Sequence, residues 1–231
     1  MLLLKKIYFR AVLFLQRFLP APGVPVILYH SISSDGGRLS ISPDKFREQL
    51  QALKDSGYSG ISLRDLQACF SSGIFPRDKV LISFDDGFAD NYETAREILA
   101  EHGFSSVFFI AGKFIGSRAE FCTNDADKRK LMMDAGQLAN LQQYGHEIAN
   151  HFFSHQPVKD LSDDEIKTEY LQNKKILEEI IGAKFGLSCV AYPKNKKDSR
   201  IFGLLKDVGV HLGFGGNPGI CTSRSRKLEI E

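Results

Sequence analysis

The sequence predicts an α/β protein built on a mostly parallel sheet, and three observations lead there. Seven short apolar runs recur along the chain, helical patterns separate most of them, and the helical patterns carry start signals, stop signals or both. Strand–helix alternation belongs to a parallel sheet with helices outside it. Seven strands suit a barrel, closed or incomplete, whose functional groups gather at the C-terminal strand ends.

Val24–His30 is the first strand. Ser42 and Pro43 then supply an N-cap and a proline at the first helical position, Phe46, Leu50 and Leu53 form one stripe, and Gly57 stops the helix. Gly60–Ser62 is a second strand, with Ser62 capping Leu63–Phe70. Val80–Phe84 is the third, followed by a helix over Asn91–His102 that Gly103 ends. Ser106–Ala111 is the fourth; residues 116–134 after it are polar and charged and read as a surface insertion. Asp134 opens a helix that Gly145 closes before the fifth strand, Glu147–His151. Ser162-Asp163-Asp164-Glu165 is a capping box ahead of the stripe Ile166, Tyr170, Leu177 and Ile181, with Gly182 as the stop. Ser188–Pro193 and His211–Gly216 complete the set.

Composition narrows the function classes. At 231 residues the chain can hold one large domain. With 43% hydrophobic and 25% charged residues it is globular rather than disordered. Thirty basic against 28 acidic residues gives +2, without the basic excess of a nucleic-acid binder. Cys69, Cys122, Cys189 and Cys221 show no C-x-x-C spacing, and free thiols would suit any compartment.

Residues 1–19 are apolar but broken by Lys5, Lys6, Arg10 and Arg17, too interrupted to span a bilayer or to form a clean signal peptide. On a helix those cations share one face with Gln16, and Leu4, Ile7, Ala11, Phe14, Leu15 and Phe18 lie opposite. Such a helix can lie in a membrane surface or pack on its own domain. Pro20, Pro22 and Gly23 end it, which divides the chain into a helix and linker over 1–22 and a domain over 23–231.

The chemistry falls at strand ends. Asp85-Asp86-Gly87 directly follows the strand Val80–Phe84, and two carboxylates at the end of a buried strand call for a cation or a shared proton, although a plain turn also fits the triplet. His151 and His155, four apart, follow the fifth strand; they can converge on one ion or stand solvated in a loop. Two histidines and a carboxylate leave coordination positions open for water and substrate.

These segments resemble the polysaccharide deacetylase family, the NodB-homology domain of carbohydrate esterase family 4. The resemblance rests on Ser83-Phe84-Asp85-Asp86-Gly87, on Gly145–His151 with Ser154-His155, and on Ala191-Tyr192-Pro193. It runs from Val24 to the C-terminus and takes in Tyr29-His30, Gly57-Tyr58 and Asn217-Pro218-Gly219. It implies a distorted (β/α)7 barrel. Asp86, His151 and His155 would hold a divalent metal, usually zinc, and Asp85 would be the general base. The metal would polarise the acetyl carbonyl and bring the pKa of its bound water towards ~7.

Several positions depart from the family pattern. Phe152 stands where Ser or Thr is usual, Ala191 where many members carry an Arg that orients the base, and Lys194 and Asn195 where an aromatic residue and Gly normally follow. Tyr192, Pro193 and Lys194 would then form the substrate and oxyanion wall, with the N–H of Lys194 as donor; Lys194-Asn195-Lys196-Lys197 either projects charge over the groove or is a solvated loop. The usual C-terminal Leu-x-His is missing, but Leu28-Tyr29-His30 ends the first strand, as in permuted members. If the first and last strands are neighbours, His30 becomes the general acid for the leaving amine. His102 and His211 read as structural, and His146 as supporting the site or solvated.

The resemblance thus implies a metal-dependent hydrolase that removes N-acetyl groups from amino sugars of a polysaccharide or lipid-linked glycan. The alternatives are a deformylase or O-deacetylase on the same centre and a catalytically dead carbohydrate-binding barrel. The expected partners are an N-acetylated glycan and, through residues 1–19, a membrane surface, with peripheral membrane association on a face the sequence does not define and with no nucleic acid.

Overall fold

The computed structural model describes residues 22–231. The amphipathic helix expected over residues 1–19 lies outside the described residues.

The apolar runs become strands because both of their faces find apolar cover. Along β5 (Lys79–Phe84) and β6 (Val107–Ile110) every residue but Lys79 is buried, as a parallel strand between two layers requires. Neighbouring residues serve opposite faces. Ile82, Phe84 and Phe108 meet Phe46, Leu50, Ile98 and Leu177 from the outer helices, whereas Leu81, Val107 and Phe109 join Leu212 and Phe214 across the inner face. β1 (Val24–Tyr29), β4 (Ser59–Gly60), β7 (Glu147–Asn150), β8 (Cys189–Ala191) and β9 (Leu212–Phe214) complete the seven expected strands. The sheet runs β1-β5-β6-β7-β8-β9, all parallel, with β4 on β5 and a further antiparallel strand, β10 (Ile220–Cys221), on β1. It is a curled, incomplete barrel of the expected type.

Helix boundaries follow the capping residues. Ser42 accepts from Lys45 N at the start of α1 (Pro43–Asp55), and Ser62 accepts from Asp65 N at the start of α2 (Leu63–Ser72). A π-helical turn over Asn91–Ala95 leads into α3 (Arg96–His102), which Gly103 ends. Asp134 and Ser162 form complete capping boxes with Gln137 and Glu165, opening the helices over Ala135–Gln143 and Asp163–Ile181. Each such box satisfies two otherwise orphaned donors.

The structure also departs from the expectations. Segment 116–134 is more than a surface insertion. It contains α4 (Asp125–Lys128), which precedes α5 (Ala135–Gln143), and it buries Ala119, Cys122 and Met132 against Phe88, Ala111 and Phe114. Polar residues between these apolar ones hid the pattern. After α6 (Asp163–Ile181) comes α7 (Arg200–Asp207), a helix absent from the expectations: Ile201 and Leu205 are buried on one face and Gly209 follows it, but Gly203 sits mid-helix and Ser199 makes no cap bond. Two short parallel strands, β2 (Ser31–Ile32) and β3 (Ser40–Ile41), form a separate ribbon. Among the described residues the first and last barrel strands do not pair with each other. β10 pairs β1, while Gly213 N donates to Lys227 O and Gly215 N to Ile230 O, so the tail fills the seam between β1 and β9.

Candidate metal centre

Asp85 continues the β1–β5 ladder by donating its N–H to Tyr29 O at 3.0 Å. The chain then turns sharply: Asp86 has φ 75° and Gly87 φ 97°. Left-handed backbone is unfavourable for an aspartate, and the turn is held by Gly87 N donating to Asp85 O and Met133 N to Gly87 O. His151 leaves β7 with its N–H on Ile110 O, and its Nδ1 lies 3.0 Å from Ala191 O. A carbonyl only accepts, so Nδ1 carries the proton and the Nε2 lone pair is free to bind a cation. The position where many family members carry an arginine thus contributes a backbone oxygen that orients a histidine.

The loop between the histidines is braced from several sides. Phe152 and His155 both have φ 58°. Asn150 Oδ1 accepts from Phe152 N at 2.8 Å and from Asn173 Nδ2 at 2.9 Å, and Asn173 in turn donates to Ile110 O and accepts from Gly112 N. Glu169 takes both the N–H and the hydroxyl of Ser154 at 2.7 Å. The Phe152 ring is fully buried among Val158, Ile166, Tyr170 and Tyr192. Packing and Ser154 replace the hydroxyl expected at position 152.

These elements bring Asp86, His151 and His155 together, all buried. One ligand atom from each lies within 4.8 Å of the others. Asp86 Oδ1 is 3.3 Å from His151 Nε2 and 2.9 Å from His155 Nε2, yet no N–H is aligned on that oxygen. Donors about 2.1 Å from a tetrahedral ion stand about 3.4 Å apart, close to the longer of these separations. Three buried lone-pair donors facing one another without a shared proton fit a divalent cation, and the N/N/O set suits a first-row metal. Burial opposes ionisation of Asp86, and only positive charge beside it, on protonated His151 and His155 or on an ion in their place, would override this and hold the carboxyl well below the usual range. Asp85 differs. Burial pushes its pKa up, His151 and His30 partly offset this, and Asp86 adds to the rise; its Oδ1 has no partner.

Both aspartates and both histidines line one cavity of about 600 Å³. His30 stands on the same wall system, as do Tyr192 and Lys194. Pro193 does not line it, and the Tyr192 hydroxyl points away to Leu228 O at 2.7 Å, into room left by Gly213. His146 neither supports the centre nor meets solvent: at the opposite end of β7 it is 5% exposed, bonded to Ser106 Oγ and packed edge-on against Phe108. His102 caps back onto Ile98 O, and His211 stacks on Phe185. Sequence reasoning missed Phe121, whose ring centroid is 4.1 Å from that of His155, and the braces Asn150, Asn173 and Glu169. Asn173 did leave a signal, as an amide on the buried stripe Ile166, Tyr170, Leu177 and Ile181.

A family profile for polysaccharide deacetylase matches residues 72–213. YxkH of Bacillus subtilis (strain 168), a protein named for this same family, is 26% identical over 200 residues, spanning 86% of this chain and 66% of its own. The poly-β-1,6-N-acetyl-D-glucosamine N-deacetylase of Staphylococcus aureus (strain N315) is 24% identical over 207 residues, 88% of this chain and 70% of that one. The chain therefore spans about two thirds of the length of these relatives. In fold it resembles the Streptococcus pyogenes deacetylase PplD in complex with acetate (TM-score 0.77, 22% identity, 90% of each chain). It also resembles IcaB from Ammonifex degensii (TM-score 0.78, 19% identity, 90% of each chain). With the profile covering more than half of its residues, the chain belongs to the polysaccharide deacetylase family.

Proposed function

We propose that the chain is a metal-dependent hydrolase that removes N-acetyl groups from amino sugars of a polysaccharide or lipid-linked glycan. The observation that carries this reading is the buried Asp86–His151–His155 cluster with a second, electrically distinct carboxyl, Asp85, beside it. Support comes from the family and from the S. aureus relative named for N-deacetylation of a glucosamine polymer. Asp86 Oδ1 and the two Nε2 atoms would hold the ion, and zinc suits this ligand set. When bound, the ion polarises the acetyl carbonyl and acidifies water.

The protein's own groups supply the proton handling. Asp85, whose raised pKa makes it a better proton acceptor than a solvated carboxylate, takes the proton from the attacking water. An amine leaves an amide carbon only when protonated, and His30 on the same cavity is the donor. The Lys194 N–H, in a turn with φ 56°, serves the developing oxyanion. Residues 1–19 would tether the protein peripherally to a membrane surface through their basic and apolar residues.

The test is mass analysis of N-acetylated glycan fragments incubated with metal-loaded protein. Wild type should release acetate, and Asp85→Asn should retain its metal yet turn over about 10²–10⁴-fold more slowly. Unchanged fragments with the metal bound, or near-native turnover by Asp85→Asn, would sink the assignment.

A further inference from the structure

The cavity carries a charge pattern that deacetylation of a neutral glycan does not require. Arg38 comes from the β2–β3 loop, and Lys194 and Lys196 from the turn after β8; all three line the cavity. Their backbones are fixed. Arg38 N donates to Asp127 Oδ2 at 3.0 Å, and Lys196 N donates to Pro193 O while Lys196 O accepts from Lys159 N. Asn195, between the two lysines, is tied to Asn217 and to Lys197 Nζ, both at 3.0 Å. Among the described residues, however, none of the three cationic heads has a carboxylate partner, whereas nearby cations do. Lys197 pairs with Glu231 at 2.8 Å, Lys130 with Asp35 and Asp90, and Arg200 with Asp163.

Inside the cavity these three cations face three carboxylates, Asp85, Asp86 and Asp127. A divalent ion on Asp86 and the histidines therefore leaves the loaded cleft net positive. Each turnover of the proposed reaction adds an ammonium to the glycan, which raises the repulsion further. A fixed anion on the substrate relieves both effects, and at short range a single such pairing in partly screened surroundings is worth about tenfold in binding. A carboxylate or phosphoryl group also matches the planar donor fork of Arg38 and the point charges of the lysines. A flat lipid surface fits less well, because these cations, though exposed, border the same cavity as the buried Asp86, His151 and His155.

We propose that the glycan taken by this site bears a carboxylate or phosphoryl group near the acetamido sugar, and that Arg38, Lys194 and Lys196 receive it. This rests on the deacetylase reading but is separable from it.

The experiment compares three N-acetylglucosamine tetramers on the metal-loaded full chain: neutral, carrying one carboxylate, and carrying one phosphoryl group. Calorimetric binding and acetate release are both measured at low and high salt. At least one anionic tetramer should bind about tenfold more tightly than the neutral one, with the advantage shrinking as salt rises. The double variant Arg38→Gln/Lys196→Gln should lose most of that preference, and which tetramer wins identifies the anion. Equal binding of all three, or a preference indifferent to salt and to the double variant, overturns the proposal even if acetate is released. Preferential binding without acetate release upholds it and sinks the deacetylase reading instead. A double variant that sediments less with phosphatidylglycerol vesicles but binds the anionic tetramers like wild type would show that the cations face lipid, which also overturns it.

Discussion

The two ends of the sheet solve the same problem, how to turn the chain, by opposite means. Where helices run into the N-terminal ends of strands, glycines take the left-handed turns. Gly57, Gly73, Gly103, Gly145 and Gly209 have φ between 73° and 84°, and a side chain on any of them would meet nothing within 4 Å. Where strands run out at their C-terminal ends, Gly87 is joined by Asp86, Phe152, His155, Lys194 and Asn195, and these five are the described non-glycine residues with positive φ. Each costs about 1 kcal/mol or more relative to a relaxed conformation. The first end is built for stability at low strain; the second accepts strain in order to aim side chains. Strain of that kind persists only where its surroundings over-determine it, as Asn150, Asn173 and Glu169 do here.

The sharpest way to break this contrast is to exchange single residues at the two ends. Asp86→Ala, His151→Ala and His155→Ala should each lower the bound metal from about one ion per chain towards none and reduce acetate release to background, because a three-ligand site has no redundancy. Gly103→Ala should do the reverse, costing about 1 kcal/mol or more in urea unfolding while metal content stays full. Metal retention by any of the three ligand variants would remove that residue from the centre.

Next in size is a pH effect confined to the stable end. Burial, reinforced by Arg96, lowers the His146 pKa to about 4. Between about pH 6.5 and 4 the unfolded chain therefore binds a proton that the folded one refuses. Stability from this group is complete above pH 6.5 and falls as pH drops towards 4, by about 3 kcal/mol in all. His146→Gln should flatten the slope of urea midpoint against pH in that window. An unchanged slope would mean that His146 is protonated in the fold.

The smallest effect sharpens the comparison at the strained end. Lys194→Gly removes a side chain from left-handed backbone and should raise stability by up to about 1 kcal/mol, which is about 2–4 °C in Tm for a chain of this size. The same change should weaken binding of anionic tetramers. A fall in Tm would show that the lysine's contacts outweigh its backbone strain.

What the sequence revealed follows the same division. Caps, glycine stops and apolar runs are local signals, so seven strands and most helices were readable, as were the carboxylate pair and the two histidines at strand ends. The braces were not, because their partners lie far along the chain: Asn173 is 63 residues from Ile110 and Glu169 is 15 from Ser154. The role of 116–134 was hidden for the same reason, since Met132 is read as core only once Phe88 is known to pair with it. Closure of the barrel escaped because it depends on isolated backbone bonds from the tail rather than on a strand of recognisable length.

That tail closure gives the molecule a mechanical asymmetry. The β5–β6–β7 side is a continuous ladder backed by helices, whereas β1 and β9 are stitched through Ile220–Cys221 and the stretch from Lys227 to Ile230. His30 stands at the end of β1, and the Lys194 turn follows β8, which pairs with β9. They are thus carried by opposite banks of the seam, while the metal-binding residues sit on the continuous side at β5 and β7. The barrel is built less like a closed ring than like a clasp. Its continuous arm carries the Asp86–His151–His155 cluster, and the tail is the buckle that holds His30 and the Lys194 turn on either side of the seam.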